Sequence, residues 1–340
     1  MALTASGTIK YSEIIAEFGT PNSGGLGEYR LSENVGSLTN LPLDTGVPQS
    51  GQIKFSDFYS KKLNHVVDLY SIGNSTTRQN AKDRWSNGNV HIVGSTKTGK
   101  TQPPDTVEDR VIINVNATIA SAKGTQTHCA LRTGNWDSNT TLEIEIGTSG
   151  KLYGSGGDGG TGGNANETAG TDGGTGSSAL GIQYPCTVNN LGVIQSGYGG
   201  GGGGGGNTRT TGGGKKGGAT TNGSSGGGGG GGAGLPAGSA GGVSTPLSVG
   251  GGSAGSAGQA GSLSGQASGG AGGSEAAEGG DSSLVNNSAT KADDGGTASG
   301  AASPGTGGNN GYAIITNQGS APSVTGNSAI GRIATSTNPT

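Results

Sequence analysis

The stretch Gly154-Ser-Gly-Gly-Asp-Gly-Gly-Thr-Gly-Gly163 decides how the second half of this chain can fold. Gly154, Gly157, Gly160 and Gly163 recur every third residue, with Gly156, Gly159 and Gly162 one step behind them. Glycine loses more backbone entropy on folding than any other residue and buries almost no apolar surface. Such a segment therefore either stays disordered or folds through backbone hydrogen bonds. Three residues is the period of the polyproline II helix, whose amides point outward. With one or two faces bare, neighbouring helices can approach closely enough to bond to each other.

Working outward, Gly252, Gly255, Gly258 and Gly261 repeat the pattern, and the runs Gly199 to Gly206 and Gly226 to Gly232 carry no side chains at all. Only 15 of the 78 glycines precede residue 150. Collagen shares the period but needs unbroken triplets and abundant proline, and the chain has 11 prolines. A flexible linker would lack apolar punctuation, whereas this region contains Ala179-Leu-Gly-Ile-Gln-Tyr-Pro-Cys186, Leu191-Gly-Val-Ile194 and Tyr312-Ala-Ile-Ile315. The favoured reading is a lattice of short polyglycine II helices over 150–340, turned back through loops richer in Asn, Thr, Ser and charge.

Before residue 150 the composition permits ordinary cores. A repeat opens the chain: Ala5-Ser-Gly-Thr-Ile-Lys-Tyr-Ser-Glu-Ile14 matches Gln49-Ser-Gly-Gln-Ile-Lys-Phe-Ser-Asp-Phe58 at eight identical or similar positions. In each copy Ser-Gly makes a turn, Ile-Lys-aromatic is extended, and Ser12 or Ser56 is the expected N-cap of a short helix, ending at Gly19 in the first copy. Elements this small need packing to persist. Residues 1–63 are therefore expected to form a docking module that takes part of its core from a partner, through Ile9, Tyr11, Ile14, Ile53, Phe55 and Phe58.

Residues 64–149 alternate apolar and polar positions, as in Ile112 to Ile119 and Leu142 to Ile146, with Gly, Asn, Asp and Pro between the runs. The pattern predicts an antiparallel β-sandwich without a convincing helix. The fold class is thus mainly β and irregular with little α-helix, in three parts.

Several chemistries are disfavoured. A net charge of −3 and 4% aromatic residues argue against nucleic acid as a partner. No apolar stretch is long enough to cross a membrane, and the N-terminus lacks a signal-peptide pattern, so synthesis in a cytoplasm without membrane insertion is expected. Gly94-Ser-Thr-Lys-Thr-Gly-Lys-Thr101 is a complete P-loop string. Pro103 and Pro104 follow at once, however, and oppose the long helix that phosphate binding requires. His65, His91 and His128 have no metal-ligand spacing, and the aspartates among the glycines do not form calcium-binding nonapeptides. Cys129 and Cys186 are expected to be free thiols. No cofactor, metal or catalytic residue is predicted.

The loops that interrupt the glycine runs carry the charge. Asn207, Arg209, Thr210, Lys215 and Lys216 lie in one, and Glu275, Glu278 and Asp281 in another. Such charge either solvates an uncharged lattice or contacts a ligand.

With these residues in place, the chain resembles the glycine-rich tail-fibre and tail-tip adhesins of tailed bacteriophages. The Ser-Gly-x-Ile-x-aromatic-Ser-acidic repeat is similar to their N-terminal segments. Leu142 to Gly160 is similar to their passage from strand into glycine, Ala179 to Gly206 to their strand pair running into polyglycine, and Gly311 to Ile315 to their closing strand. The resemblance implies a virion tail protein that attaches through its N-terminus to other tail or baseplate proteins. It implies binding to a host surface glycan or outer-membrane protein through the charged loops, and, as fibres commonly are, a homotrimer. T-even adhesins consist mainly of the glycine-rich part, whereas this chain carries its own N-terminal module. A purely structural tail, neck or baseplate component is the alternative, and an enzyme such as a glycan depolymerase ranks third.

Overall fold

The two copies of the opening repeat begin alike and then diverge. A computed structural model of the chain describes residues 3–69, 78–101, 110–163, 169–203, 207–211, 220–224, 228–229, 231–242, 252–253, 262–263, 303 and 305–340. Gly7 and Gly51 both take positive φ, 91° and 74°, a turn that glycine makes without steric penalty. The main-chain amides of Lys10 and Lys54 then donate to the carboxylates of Glu13 and Asp57, at 2.8 and 2.7 Å. Those carboxylates fix the helix starts, so Ser12 and Ser56, expected as N-caps, lie inside the first turn instead. The first copy continues as helix α1 (Tyr11–Phe18), stopped at Gly19. The second closes after a single 3-10 turn, Phe55–Phe58.

Around α1 packs an aromatic cluster, with Phe18 and Tyr29 centred 5.8 and 5.5 Å from Phe58 and all three fully buried. An antiparallel pair, β1 (Ser32–Val35) and β2 (Leu38–Pro42), adds Val35. Val66, Ile92, Val93 and Ile112 complete this core. These four residues lie outside 1–63, so the rest of the chain supplies part of the core of the N-terminal module.

The remaining strands coil. In chain order they are β3 (Asn64–Asp68), β4 (Gln79–Asn80), β5 (His91–Ile92), β6 (Arg110–Val115), β7 (Thr118–Ala120), β8 (Cys129–Arg132), β9 (Thr141–Ile146) and β10 (Lys151–Tyr153). β11 (Ser178–Ile182), β12 (Thr187–Asn190), β13 (Val193–Gln195), β14 (Asn207–Thr211), β15 (Thr220–Ser224), β16 (Gly252–Ser253) and β17 (Ser262–Leu263) follow. Last come β18 (Tyr312–Thr316), β19 (Ser323–Gly326) and β20 (Arg332–Ala334). Three sheets run in the orders β19-β12-β9-β6-β3-β5, β13-β10-β7 and β20-β18-β11-β8-β4. Consecutive strands such as β6, β7 and β8 occupy different sheets, and the next three, β9, β10 and β11, stack on them one turn later.

Within these sheets every pairing is parallel except that of β3 with β5. The antiparallel sandwich expected for 64–149 is thus corrected to a parallel, three-faced coil. Alternating burial along Thr141–Ile146 reports one wet face and one dry one, but not the direction of the neighbouring strand. In a coil the rest of the turn supplies the crossover that a parallel pair requires. The coil also crosses the change of composition near residue 150, since β11, β12, β13, β18, β19 and β20 all belong to it.

Its interior is built from aliphatic ladders. Val67, Ile113, Ile144 and Val188 are in register on one face, Ile119, Leu152 and Ile194 on the second, and Leu131, Leu180 and Ile314 on the third. All ten are buried, each worth roughly 1.5–3 kcal/mol relative to exposure. Two short helices also correct the helix-free expectation. α2 (Ala81–Ser86) starts where Asn80 Oδ1 accepts from the Lys82 amide at 3.1 Å, and it inserts the buried Trp85. α3 is Ser95–Thr98.

Candidate functional site

At one corner of the coil, between the second and third sheets, described runs within 154–177 and 196–311 lie outside the stack. The strands dictate direction. The runs at 154–162 and 195–203 continue outward from β10 and β13, while those at 171–177 and 305–311 lead inward to β11 and β18. Gly229 with 231–235, and 236–242, lie beside them.

Hydrogen bonds join these runs at every third residue. The amides of Gly154, Gly157 and Gly160 donate to the carbonyls of Gln195, Tyr198 and Gly201, each at 2.8 Å. Those of Gly156, Gly159 and Gly162 donate to Pro236, Ser239 and Gly242 at 2.8–3.0 Å. The same run accepts from Ser177, Gly174 and Thr171 on one side and from Leu235, Gly232 and Gly229 on another, at 2.6–2.9 Å. One backbone is thus ringed by four others, two parallel to it and two antiparallel. Gly305, Gly308 and Gly311 extend the set by donating to Gly203, Gly200 and Gly197. Side chains would prevent this: a Cβ on Gly160 would stand 2.0 Å from the Thr171 carbonyl oxygen. The repeat at 255–261 lies outside the described residues.

Two of the aspartates among the glycines, to which the sequence analysis assigned no role, anchor the lattice. Asp158 Oδ1 meets Lys123 Nζ at 2.6 Å and accepts from the Ser239 amide at 2.6 Å. Burial raises the Asp158 pKa, but these hydrogen bonds outweigh it and hold the carboxyl below its ordinary range. Asp172 Oδ1 accepts from the Thr306 amide at 2.7 Å and from its hydroxyl at 2.8 Å, which lowers its pKa as well. The available signal was that each aspartate stands beside a Gly-Gly pair, where a lone side chain can reach sideways to the next run.

Outward and inward runs meet at a common far end, where Thr171 bonds Thr161 and Gly203, and Gly305 bonds Gly203. The connections that begin after Gly203 and after Gly242 carry the candidate loops. Asn207, Arg209 and Thr210 lie on β14, opposite Ser224, Asn222 and Thr221 of β15 in an antiparallel hairpin. Lys215, Lys216, Glu275, Glu278 and Asp281 lie outside the described residues.

The candidate attachment residues divide by burial. Ile14 and Phe58 are fully buried and Ile9 is nearly so; all three belong to the N-terminal core. Tyr11 and Ile53 are half-buried against it. Phe55 is 43% exposed.

The P-loop string is absorbed by structure. Glu33 Oε1 accepts from the Gly94 amide at 2.7 Å, α3 ends at Gly99, and Lys100 Nζ donates to the Ala16 carbonyl. Pro103 and Pro104 lie outside the described residues. His91 Nε2 sits 2.7 Å from the same Glu33 oxygen, and His65 packs edge-on against Trp85 at 5.1 Å. Both cysteines are free, and burial pushes the Cys129 and Cys186 thiols up to about 12. No group of three or more His, Cys, Asp or Glu is placed to hold a metal among the described residues.

A mainly β, parallel coil that carries a glycine-rich lattice bonded backbone to backbone at one corner defines the architecture of this chain. The family model for the phage tail fibre adhesin Gp38 matches residues 84–335, and the chain belongs to that family. The match leaves the N-terminal 83 residues outside. Comparison with curated proteins finds no match. Among solved structures, the crystal structure of the gp37-gp38 adhesin tip complex of the bacteriophage S16 long tail fiber is similar at 18% identity, covering 98% of this chain and 99% of that one, with a TM-score of 0.35.

Proposed function

We propose that this tail-fibre adhesin sits at the far end of a fibre or tail tip, attaches to other tail proteins through residues 1–63, and binds the host cell surface through the connections of its glycine lattice. One observation carries the reading. The lattice is bonded backbone to backbone, so the connections after Gly203 and Gly242 are held from a rigid base that does not depend on their sequence. Binding surfaces are commonly built on loops over such scaffolds. Arg209, Lys215, Lys216, Glu275, Glu278 and Asp281 are the charged groups offered to a surface glycan or an outer-membrane protein. Phe55 supplies an exposed ring for attachment. The role is one of binding, without catalysis.

The test is adsorption. Purified protein should bind host cells and compete with the phage, and replacing residues 207–216 and 275–294 by neutral Gly-Ser sequence should abolish both effects while the protein stays folded. Undiminished adsorption after both replacements would instead favour a structural tail component.

A further inference from the structure

Away from the lattice, a cleft of about 690 Å³ opens beside α2 and β4, the edge strand of the third sheet. Arg78, Arg84 and Arg132 line it together with Asp83, the one carboxylate of the lining among the described residues. The chain as a whole is net negative, so this concentration of guanidinium runs against its overall charge. Surface arginines ordinarily spend their donors on carboxylates or carbonyls. Here Arg78 Nη1 donates to the main-chain oxygen of Thr340 at 3.1 Å. The Nε atoms of Arg84 and Arg132 are buried and have no hydrogen-bond partner, and neither side chain forms an ion pair, among the described residues.

Like charges gathered around one cleft raise the free energy of the folded chain, and an oxyanion placed among their guanidinium groups relieves that cost. Guanidinium matches carboxylate or phosphate through two parallel N–H donors. Asn87 and Asn89 on the rim add amide groups suited to hydroxyls. A protein partner would call for an apolar anchor, and Ala122 is the one aliphatic side chain of the lining among the described residues. We propose that this cleft binds an anionic saccharide, a sugar bearing a carboxylate or phosphate group. The site lies on the coil, apart from the lattice connections, so it stands or falls separately from the adsorption reading.

Titration calorimetry on the full chain at low salt tests this, with glucuronate, glucose 6-phosphate and glucose as probes. At least one anionic sugar should bind, and glucose about tenfold more weakly or less. Arg84→Gln and Arg132→Gln should each weaken the anionic sugar about tenfold, with far-UV circular dichroism unchanged. Asp83→Asn should strengthen it, a direction that damage to the fold does not produce. Comparison of the two anionic probes distinguishes a carboxylated from a phosphorylated source. Binding of glucose equal to that of the anionic sugars would overturn the proposal. So would insensitivity to both arginine variants, or no binding at millimolar concentration. Inorganic phosphate binding as tightly as the sugar phosphate would make the cleft a bare oxyanion site and overturn the saccharide assignment.

Discussion

A methyl group on Gly157 would stand 1.9 Å from the carbonyl oxygen of Gly174, which belongs to a different run of the lattice. Neither backbone can retreat alone, because Gly157 also donates to Tyr198 and accepts from Gly232. Gly157→Ala should therefore destabilise the chain by about 3 kcal/mol, the upper range for overpacking. Neighbouring glycines supply the control. A Cβ on Gly241 would come within 2.0 Å of the Gly160 oxygen, whereas one on Gly242 meets nothing closer than 3.8 Å. Urea denaturation should show Gly241→Ala destabilised and Gly242→Ala near wild type. Equal effects at the two positions would refute the bonded lattice.

Hydrogen exchange reads the same lattice amide by amide. Gly157, Gly159 and Gly160 each donate to another run, while the intervening Asp158 amide has no acceptor among the described residues. The glycines should exchange slowly and Asp158 quickly, so that protection follows a three-residue rhythm in a segment almost without side chains. Uniform fast exchange over 154–162 would contradict the structure.

The glycine spacing made this rhythm legible in advance, because a three-residue period leaves few ways to satisfy the backbone. Direction was not legible. Leu142, Ile144 and Ile146 announce a strand with one buried face, yet the parallel partners of β9 are set by a return of the chain after a full turn, and no local pattern encodes that. The role of Phe58 was misread for a related reason. The repeat makes Phe55 and Phe58 equally prominent, and only packing against Phe18 and Tyr29 separates the buried ring from the exposed one. The arginine cleft left no trace in the sequence, since β4, α2 and β8 bring Arg78, Arg84 and Arg132 together across more than fifty residues of chain.

Burial at His65 gives the fold a pH dependence. Desolvation is the main cause that lowers its pKa, to about 4 from 6.5, so the folded chain resists the proton that the unfolded chain takes up. For a group shifted in this direction, stability is full above the unfolded value and falls as pH drops from 6.5 towards 4. Between pH 7 and pH 5 the loss should be about 2 kcal/mol. Urea midpoints for wild type and His65→Leu should converge or cross as pH falls, because the leucine variant lacks this term. Parallel pH profiles for the two proteins would show that His65 does not carry it.

The division between Phe58 and Phe55 separates folding from assembly. Phe58 is fully buried against Phe18 and Tyr29, so Phe58→Ala should cost about 3–5 kcal/mol through lost burial and the cavity left behind. Phe55, the equivalent of Tyr11 in the first copy, is 43% exposed, and Phe55→Asp should change stability by no more than about 0.5 kcal/mol. Its effect should appear in the virion: particles assembled with Phe55→Asp should carry less of this protein, measured by quantitative mass spectrometry of purified phage, while the free protein still binds cells. An exposed ring with no partner in the virion would leave incorporation unchanged. Loss of incorporation together with loss of cell binding by the free protein would place Phe55 in the fold rather than at the attachment surface. Loss of incorporation alone is the outcome that an attachment surface separate from the lattice connections requires.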